Sequence, residues 1–308
     1  MTASGAVRIG TRGSALALAQ ATPIAERLGA ELVVIESAGD RSSAPLPTLG
    51  GTGAFVTALR EALAAGEVDA LIHSFKDLPT VAADGLAIAA IPRRGDARDV
   101  LSARDGLTLE GLQPGARIGT GSPRRRAQLL ARRPDLEVVQ LRGNVDTRLG
   151  RVGSDDESRF LDGVVLAAAG VERLGRSDAI TEYFGIDGWP TAPAQGALAV
   201  ETRAGAIPAA IAKLDHKPTR ITVEAERAVL ARLEAGCAAP IGAHALLEDG
   251  LLFLSARVYR LDGSEYLTSS HALYAADVRD PVAELAARVA DELLAAGAAE
   301  LAPLGGGA

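Results

Sequence analysis

The stretch ARIGTGSPRRRAQLLARRPDLEVVQL, residues 116–141, decides the fold class because a strand, a helix and a second strand follow one another in it. The apolar runs ARIGT (116–120) and EVVQL (137–141) predict the two strands. Between them we expect a helix to start at Ser122 and Pro123, since serine is a favoured N-cap and proline a favoured first helical residue. This succession is typical of a mostly parallel α/β sheet.

The same alternation extends to both sides of that stretch. Helical patterns at about 14–28 and 53–65 precede it, and Pro23 is expected to kink or split the first of them. A further helix is expected over 144–152, and we detect no internal repeat in the sequence. The remaining strand-like runs of the first 215 residues are VRIGT (7–11), ELVVIE (31–36), VDALIHS (68–74), LAIAAI (86–91), GVVLAAA (163–169) and ALAVE (197–201).

The last ninety residues have a different pattern, which predicts a small α+β unit. A helix over about 219–235 comes first and a long amphipathic helix over about 278–296 comes last. Asp249-Gly250 and Asp262-Gly263 predict hairpin turns. The strand-like runs that these turns join are 241–247, 251–260 and 265–274.

Composition restricts the class of protein. With 48% hydrophobic and 23% charged residues in 308, the chain has the profile of a globular protein with two or three domains rather than a disordered one. A single cysteine excludes an internal disulfide and leaves the redox environment open, and a reducing cytoplasm is the default expectation. The N-terminus lacks the apolar region of a signal peptide, and no run approaches eighteen apolar residues, so we expect neither targeting nor contact with a membrane.

Charge argues against one class of partner and favours another. A net charge of −7 and few aromatic residues disfavour a nucleic-acid-binding protein, although PRRRAQL and ARRPD are basic. Of the 32 basic residues only Lys76, Lys213 and Lys217 are lysines. Arginine holds carboxylates and phosphates with two parallel hydrogen bonds, so the composition is compatible with an anionic small molecule.

Two polar clusters follow strands in the first half of the chain. GTRGS (10–14) holds Arg12 and Ser14, which indicate either a capped helix with a solvated arginine or an anion site at a helix N-terminus. HSFKDLPT (73–80) holds Lys76 and Asp77. These two residues form either a surface ion pair or a site where the carboxylate moves a proton or stabilises a cation.

A third cluster contains arginines at helix starts. Arg124 and Arg125 lie in the first turn of the helix that begins near Ser122, while Arg142 and Arg148 flank the start of the next helix. Cations at a helix N-terminus oppose the helix dipole, so this arrangement predicts that something anionic is held there. A solvated helix face explains Arg132-Arg133 better than it explains the N-terminal cluster.

The only cysteine forms the fourth cluster, in RLEAGCAAPIG (232–242). Gly236 is a common kind of helix C-cap and needs no functional explanation. Cys237 after it is either an inert small residue in a turn or a thiol that a partner can reach, and a thiolate is a strong nucleophile.

In their order and spacing these stretches resemble the hydroxymethylbilane synthase family, also called porphobilinogen deaminases, over essentially the whole chain. The segments that carry the resemblance are RIGTRGSALALAQ (8–20), HSFKDLPT (73–80), GTGSPRRRAQL (119–129), LRGNVDTRL (141–149), LAAAGVERLG (166–175), APAQGALAVE (192–201) and ERAVLARLEAGCAAPIG (226–242). Seven segments in order make a specific match, whereas GTRGS alone would be weak.

The resemblance implies an architecture: two α/β domains like the lobes of periplasmic binding proteins, and a smaller C-terminal α+β domain that presents a cysteine to the cleft between them. The first domain of the family is discontinuous, so ALAVE is expected to return to the first sheet. The implied domains are 1–92 with 197–214, 98–190, and 219–308.

The resemblance also implies a reaction, in which four porphobilinogen molecules are deaminated and joined head to tail into linear hydroxymethylbilane. This transferase reaction of haem biosynthesis starts on a dipyrromethane cofactor, bound to Cys237 by a thioether. Asp77 matches the catalytic aspartate, whose carboxylate stabilises the cation formed when ammonia leaves. The residues implied to contact the cofactor are Cys237, Lys76, Asp77, Thr120, Ser122, Arg124, Arg125 and Arg148. Those implied to contact the substrate are Arg12, Ser14, Phe55, Arg142, Arg148, Arg173 and Gln195.

The sequence departs from the family pattern in the loop over 37–54, where Thr48 and Thr52 replace lysines that many members carry. The role of this loop is therefore open, although Phe55 matches the cleft aromatic. The four histidines show no ligand spacing with the cysteine, so no metal is expected. We expect a monomer. The alternative from another class is a two-lobed binding protein without catalysis, which would need neither Asp77 nor Cys237.

Overall fold

The computed structural model describes residues 6–36, 53–205, 207–235 and 239–304, and side chains in the helix that begins at residue 53 are described from residue 56 onward. The chain divides into two compact units. One comprises Met1–Gly95 with Ala197–Arg220, and the other comprises Asp96–Gly196 with Ile221–Ala308. The division into three domains stays a prediction.

The α/β class predicted from the alternation is confirmed by the succession of elements. The strands are β1 (Arg8–Thr11), β2 (Glu31–Val34), β3 (Ala70–Ser74), β4 (Leu86–Ala90), β5 (Asp99–Ala103), β6 (Arg117–Thr120), β7 (Glu137–Gln140), β8 (Gly163–Ala167), β9 (Glu182–Tyr183), β10 (Leu198–Arg203), β11 (Ile241–Glu248), β12 (Leu251–Tyr259) and β13 (Tyr266–Tyr274). The helices are α1 (Ala15–Leu28), α2 (Gly53–Ala64), α3 (Pro123–Arg132), α4 (Val145–Leu149), α5 (Ala168–Arg173), α6 (Ala209–Ala212), α7 (Lys217–Arg232), α8 (Pro281–Ala295) and α9 (Ala298–Leu301).

The first unit is built on a five-stranded sheet with the order β2-β1-β3-β10-β4. Strand β1 pairs in parallel with β2 and β3, and β10 pairs antiparallel with β3 and β4. Helix α1 runs continuously through Pro23, so the expected split is wrong, while a kink at this residue stays a prediction. Pro23 is exposed, while Ile24 and Ala25 beside it are buried, so the carbonyl that loses its partner can bind water and packing holds the helix.

The second unit contains a five-stranded sheet with the order β7-β6-β8-β5-β9. Strand β6 pairs in parallel with β7 and β8, and β5 pairs antiparallel with β8 and β9. The order and directions of the strands match those of the first sheet, although the antiparallel fourth strand comes last along the chain in the first sheet and first in the second. The four letters RIGT form the corresponding strands β1 and β6 of the two sheets, at 8–11 and 117–120. A match of four residues is too short to predict the likeness of the two sheets from the sequence.

The same unit contains the antiparallel sheet β11-β12-β13, which confirms the three runs predicted for the C-terminal region. Asp249 and Gly250 join β11 to β12 with positive φ angles of 48° and 80°, as a tight hairpin turn requires. Helices α7 and α8 contribute Val229 and Val289 to the apolar core on one face of this sheet. Within the described part of the chain, no helix is long and apolar enough to cross a membrane.

Candidate active site

A pocket in the first unit lies at the carboxyl ends of β1 and β3 and is lined by Arg12, Ser14, His73 and Asp77, among others. The strands are parallel neighbours, so the segments that follow them meet at one edge of the sheet. Ser14 is the N-cap of α1, and its hydroxyl oxygen accepts a hydrogen bond of 3.3 Å from the amide of Ala17. The pocket therefore combines a helix N-terminus, a guanidinium and a carboxylate.

Asp77 is presented to solvent by a short, well-anchored turn. The segment Phe75–Asp77 forms one 3-10 turn directly after β3. Phe75 and Leu78 on either side are buried, and the amide of Phe75 donates to the carbonyl of Ala197 at 3.0 Å. Asp77 is exposed and Lys76 beside it is half-buried. This arrangement fixes the backbone that carries Asp77 while leaving its carboxylate accessible to a ligand.

Behind this pocket lies a buried ion cluster that the sequence analysis missed. Glu201 on β10 is only 2% exposed and accepts from the Nη2 of Arg60 at 2.8 Å, and its other oxygen lies 3.1 Å from the Nε2 of His73. Burial would raise the pKa of Glu201, but the bonds from His73 and Arg60 outweigh it and hold that pKa below its usual value. The charged glutamate thus fixes a ring that lines the pocket.

The second sheet holds Arg124 and Arg125 at the start of α3, where the sequence predicted them. Ser122 is the N-cap, accepting from the amide of Arg125 at 3.4 Å, and Thr120 accepts from the amide of Ser122 at 3.2 Å. Both arginine side chains are buried, with 3% and 8% exposure. A solvated helix face is therefore excluded for Arg124 and Arg125.

A carboxylate of the protein itself, that of Asp99, supplies one negative charge to these two arginines. Asp99, the first residue of β5, is fully buried; its Oδ2 accepts from the Nη1 of Arg124 at 2.8 Å and its Oδ1 from the Nη2 of Arg125 at 2.6 Å. Trp189 and Gln195 donate to the same carboxylate at 2.9 and 2.8 Å. Burial would raise the pKa of Asp99, but the two guanidinium charges hold it well below its usual range.

Asp99 was missed because the run DVLSA (99–103) was not predicted as a strand. This run is short and begins with a charged residue, which is atypical of a strand. In the structure it is the strand β5, buried throughout, between β8 and β9. An available signal was the excess of arginine at the start of α3, which called for a nearby acid.

The remaining predicted arginines have different surroundings. Arg148 is half-buried and donates from Nε to the carbonyl of Gly143 at 2.8 Å. Burial and the like charge of Arg125 lower the pKa of Arg148, so these two lie in one electropositive region. Arg173 donates to the carbonyl of Gly196 at 2.8 Å, and burial lowers its pKa.

The structure thus gathers the predicted residues into two groups that belong to different compact units. Arg12, Ser14 and Asp77 share the pocket of the first unit. The second group belongs to the unit of the second sheet and includes three partners of Asp99, namely Arg124, Arg125 and Gln195. Arg142 is exposed on the segment before α4. The predicted members of the second group are Thr120, Ser122, Arg124, Arg125, Arg148 and Gln195.

Several predicted residues lie outside the described part of the chain. Cys237 is one of them, together with its neighbours Gly236 and Ala238, and so are Thr48 and Thr52 in the 37–54 loop. The side chain of Phe55 is likewise not described. Among the residues that are described, no three His, Cys, Asp or Glu side chains cluster as a metal site would, and the absence of a metal stays a prediction.

Comparison with known proteins gives consistent matches along the chain. The profile of a family described as "Porphobilinogen deaminase, dipyromethane cofactor binding domain" matches residues 7–210, and that of "Porphobilinogen deaminase, C-terminal domain" matches residues 220–295. A porphobilinogen deaminase of Leifsonia xyli subsp. xyli is 54% identical, covering 98% of this chain and 96% of the relative. One from Thermobifida fusca is 50% identical, covering 89% and 88%.

A solved structure of the methionine-binding protein MetQ aligns with 68% of this chain and 87% of its own, at 14% identity and a TM-score of 0.38. At that score the likeness supports no conclusion about the site.

Proposed function

The chain belongs to the porphobilinogen deaminase family, and from this premise we propose that Cys237 holds the dipyrromethane cofactor of the family through a thioether. The enzyme is a hydroxymethylbilane synthase: it deaminates porphobilinogen and joins the pyrroles head to tail in tetrapyrrole biosynthesis. The observation that carries this function is the profile match to the cofactor-binding domain and the C-terminal domain over nearly the whole chain. We propose the roles of the individual residues from their geometry.

The region around Arg124 and Arg125 fits a cofactor that bears carboxylates. Two buried guanidiniums share the single carboxylate of Asp99, so this cluster keeps one net positive charge in a desolvated place. Arg148 adds a further cation to the same region. An acetate or propionate side chain would supply the missing negative charge with bidentate geometry. When bound, the dipyrromethane provides the free pyrrole α-carbon on which synthesis begins.

The other proposed cofactor contacts act as hydrogen-bond donors or as counter-charges. Ser122 uses its hydroxyl oxygen to cap α3, and the O–H of a serine can donate at the same time. Thr120 precedes it at the end of β6 and is buried. Lys76 offers an ammonium beside Asp77 at the edge of the first sheet.

We assign the catalytic role to Asp77. When porphobilinogen loses ammonia, positive charge develops over its pyrrole ring, and a nearby carboxylate stabilises that charge and can hold the released proton. The anchored turn supports this role, because the carboxylate costs little reorganisation if it is already in place. His73, which lines the same pocket, is held by Glu201 and cannot turn away easily.

The substrate carboxylates are assigned to the arginines outside the Asp99 cluster. Arg12 lies at the N-terminus of α1 in the pocket with Asp77, where the helix dipole also favours an anion. Arg142 is exposed, and Arg173 is half-buried with its guanidinium anchored to a backbone carbonyl. The proposed substrate contacts also include Ser14, Phe55, Arg148 and, from within the Asp99 network, the buried Gln195.

We further propose that the enzyme acts as a monomer in the cytoplasm and binds neither nucleic acid nor a membrane. Sedimentation of the purified chain tests whether it is a monomer.

Incubation of the purified chain with porphobilinogen tests the function directly. The enzyme is expected to release one ammonia for each porphobilinogen consumed and to form a product that cyclises to porphyrin. A non-catalytic binding protein would show saturable binding of porphobilinogen without release of ammonia, and that result would contradict the assignment.

A further inference from the structure

Asp99 is the centre of a buried polar network. Its Oδ1 accepts from Arg125 at 2.6 Å and from Gln195 at 2.8 Å, while its Oδ2 accepts from Arg124 at 2.8 Å and from Trp189 at 2.9 Å. Both carboxylate oxygens are therefore saturated from within the protein. A carboxylate bound in this way serves to fix the groups that donate to it.

The neutral donors of the network are themselves immobilised. The ring of Trp189 stacks on Phe184 with a centroid distance of 4.3 Å. Gln195 follows Ala194, whose amide donates to the buried carboxylate of Glu226 at 2.6 Å. Trp189 and Gln195 thus fix the position of the Asp99 carboxylate. The positions of the two guanidiniums are then set by that carboxylate.

The second anchor of Arg124 reaches the C-terminal sheet. Its Nη1 also donates to the Oε1 of Gln128 at 2.6 Å, and the Nε2 of Gln128 donates to the hydroxyl of Tyr259 at 3.1 Å. Arg125 donates from Nη1 to the carbonyl of Val165 at 3.1 Å. Each guanidinium therefore has at least two separate anchors and a defined plane, with the carboxylate of Asp99 common to both.

We propose that Asp99 is a positioning residue for cofactor capture: it presets Arg124 and Arg125 so that they receive the carboxylates of the dipyrromethane while it does not touch the cofactor itself. This inference rests on the proposed function of the Arg124 and Arg125 pair. The reasoning is that two fixed guanidiniums bind two carboxylates with less ordering cost than two flexible ones. One carboxylate for two cations also leaves the positive charge that attracts the ligand.

The test measures cofactor loading rather than turnover. Chain produced in a host that makes no porphobilinogen is incubated with increasing porphobilinogen, and intact mass gives the fraction that gains two pyrrole units. Asp99→Asn is expected to require at least about tenfold more porphobilinogen for half-loading. Once loaded, each molecule should turn over within about threefold of the wild-type kcat, because the covalent bond replaces the lost binding.

Asp162→Asn is the matched control. Asp162 is also a buried carboxylate of the second sheet, bonded to Arg104 at 2.7 Å and to the amide of Arg117 at 2.8 Å, and it precedes β8. This variant should load like the wild type. Equal loading defects in Asp162→Asn and Asp99→Asn would mean general destabilisation and would overturn the proposal, as would wild-type loading by Asp99→Asn.

Trp189→Phe keeps both charges and decides the question if Asp99→Asn does not fold. It removes one donor to the carboxylate while keeping an aromatic ring against Phe184, and half-loading should need about threefold more porphobilinogen. Loading at the wild-type concentration would then overturn the proposal. The wild-type mass reports separately on the thioether, because an unmodified but active wild type contradicts the proposed function whatever the variants do.

Discussion

The two five-stranded sheets share one framework and differ at the edge where their parallel strands end. In the first sheet, the amide of Arg8 donates to Asp69, just before β3, at 2.9 Å. In the second, the amide of Arg117 donates to Asp162, just before β8, at 2.8 Å. Both contacts tie the start of the RIGT strand to the residue that precedes its parallel neighbour.

The difference between the sheets lies in where a carboxylate is placed and what it faces. The first sheet presents Asp77 on an exposed turn beside a pocket, whereas the second buries Asp99 beneath two arginines. The contacts shared by the two sheets lie at the starts of the parallel strands, whereas the candidate site residues lie at the opposite ends. The shared framework can therefore be kept while the site residues differ. We propose that the first sheet carries the chemistry and the second captures the cofactor, and each of the following substitutions tests one side of this division.

The largest effect is expected from Asp77→Asn. Amide and carboxylate are nearly the same size, but only the carboxylate stabilises a developing cation, so kcat should fall by about 10² to 10⁴. Because Asp77 is exposed, the melting temperature and the cofactor content should remain at wild-type values. Steady-state ammonia release measures kcat, and the exposed Asp84→Asn is the control. A wild-type kcat in Asp77→Asn would contradict the proposal that the first sheet carries the catalytic carboxylate.

The arginines should separate by step. Arg125→Leu leaves Asp99 short of a partner and is expected to cost about 3–5 kcal/mol of stability and most of the cofactor content. Arg12→Leu should keep the cofactor but raise KM by about tenfold or more and let shorter enzyme intermediates accumulate. Native mass spectra distinguish the two outcomes, with the exposed Arg126→Leu on α3 as the control. If both variants lost the cofactor, or both accumulated the same enzyme intermediates, the proposed division between the two sheets would be contradicted.

Acid should weaken both units for the same reason. The pKa values of Asp99 and Glu201 are depressed in the folded chain, so each carboxylate stabilises the fold fully above its unfolded pKa of about 4. That contribution is lost as the pH falls through the lower folded pKa. Unfolding free energies from denaturant titration should therefore differ between wild type and Asp99→Asn, or Glu201→Gln, by less at about pH 3 than at about pH 7. A pH-independent difference would contradict the depressed pKa values.

The smallest effect tests the shared framework. A Cβ at Gly10 would lie 2.8 Å from Leu71, and one at Gly119 would lie 2.7 Å from both Leu141 and Leu161. Because these contacts are side-chain ends in a packed core, Gly10→Ala and Gly119→Ala should each destabilise by about 1–3 kcal/mol. Equal losses in thermal unfolding would sharpen the equivalence of the two sheets. If one of the two substitutions left the stability unchanged, the two sheets would be equivalent in strand order but not in packing at these glycines.

The sequence predicted most of this fold because its elements carry strong local signals. Ser122 and Pro123 start α3 as predicted, and Asp249-Gly250 forms the predicted hairpin. The interactions that were missed, at Asp99 and Glu201, are contacts between residues far apart in the chain, and one sequence does not show which acid meets which arginine. The covalent bond at Cys237 is a prediction from family resemblance, and this residue lies outside the described part of the chain.

The most direct test of the account is the intact mass of the purified wild-type chain, followed by peptide mass mapping over residues 232–242. We expect a chain heavier than its sequence by two linked pyrrole units, with the added mass on the peptide that contains Cys237. Cys237→Ser should purify at its sequence mass and have little activity. A wild-type chain that is fully active at its unmodified mass would contradict the account.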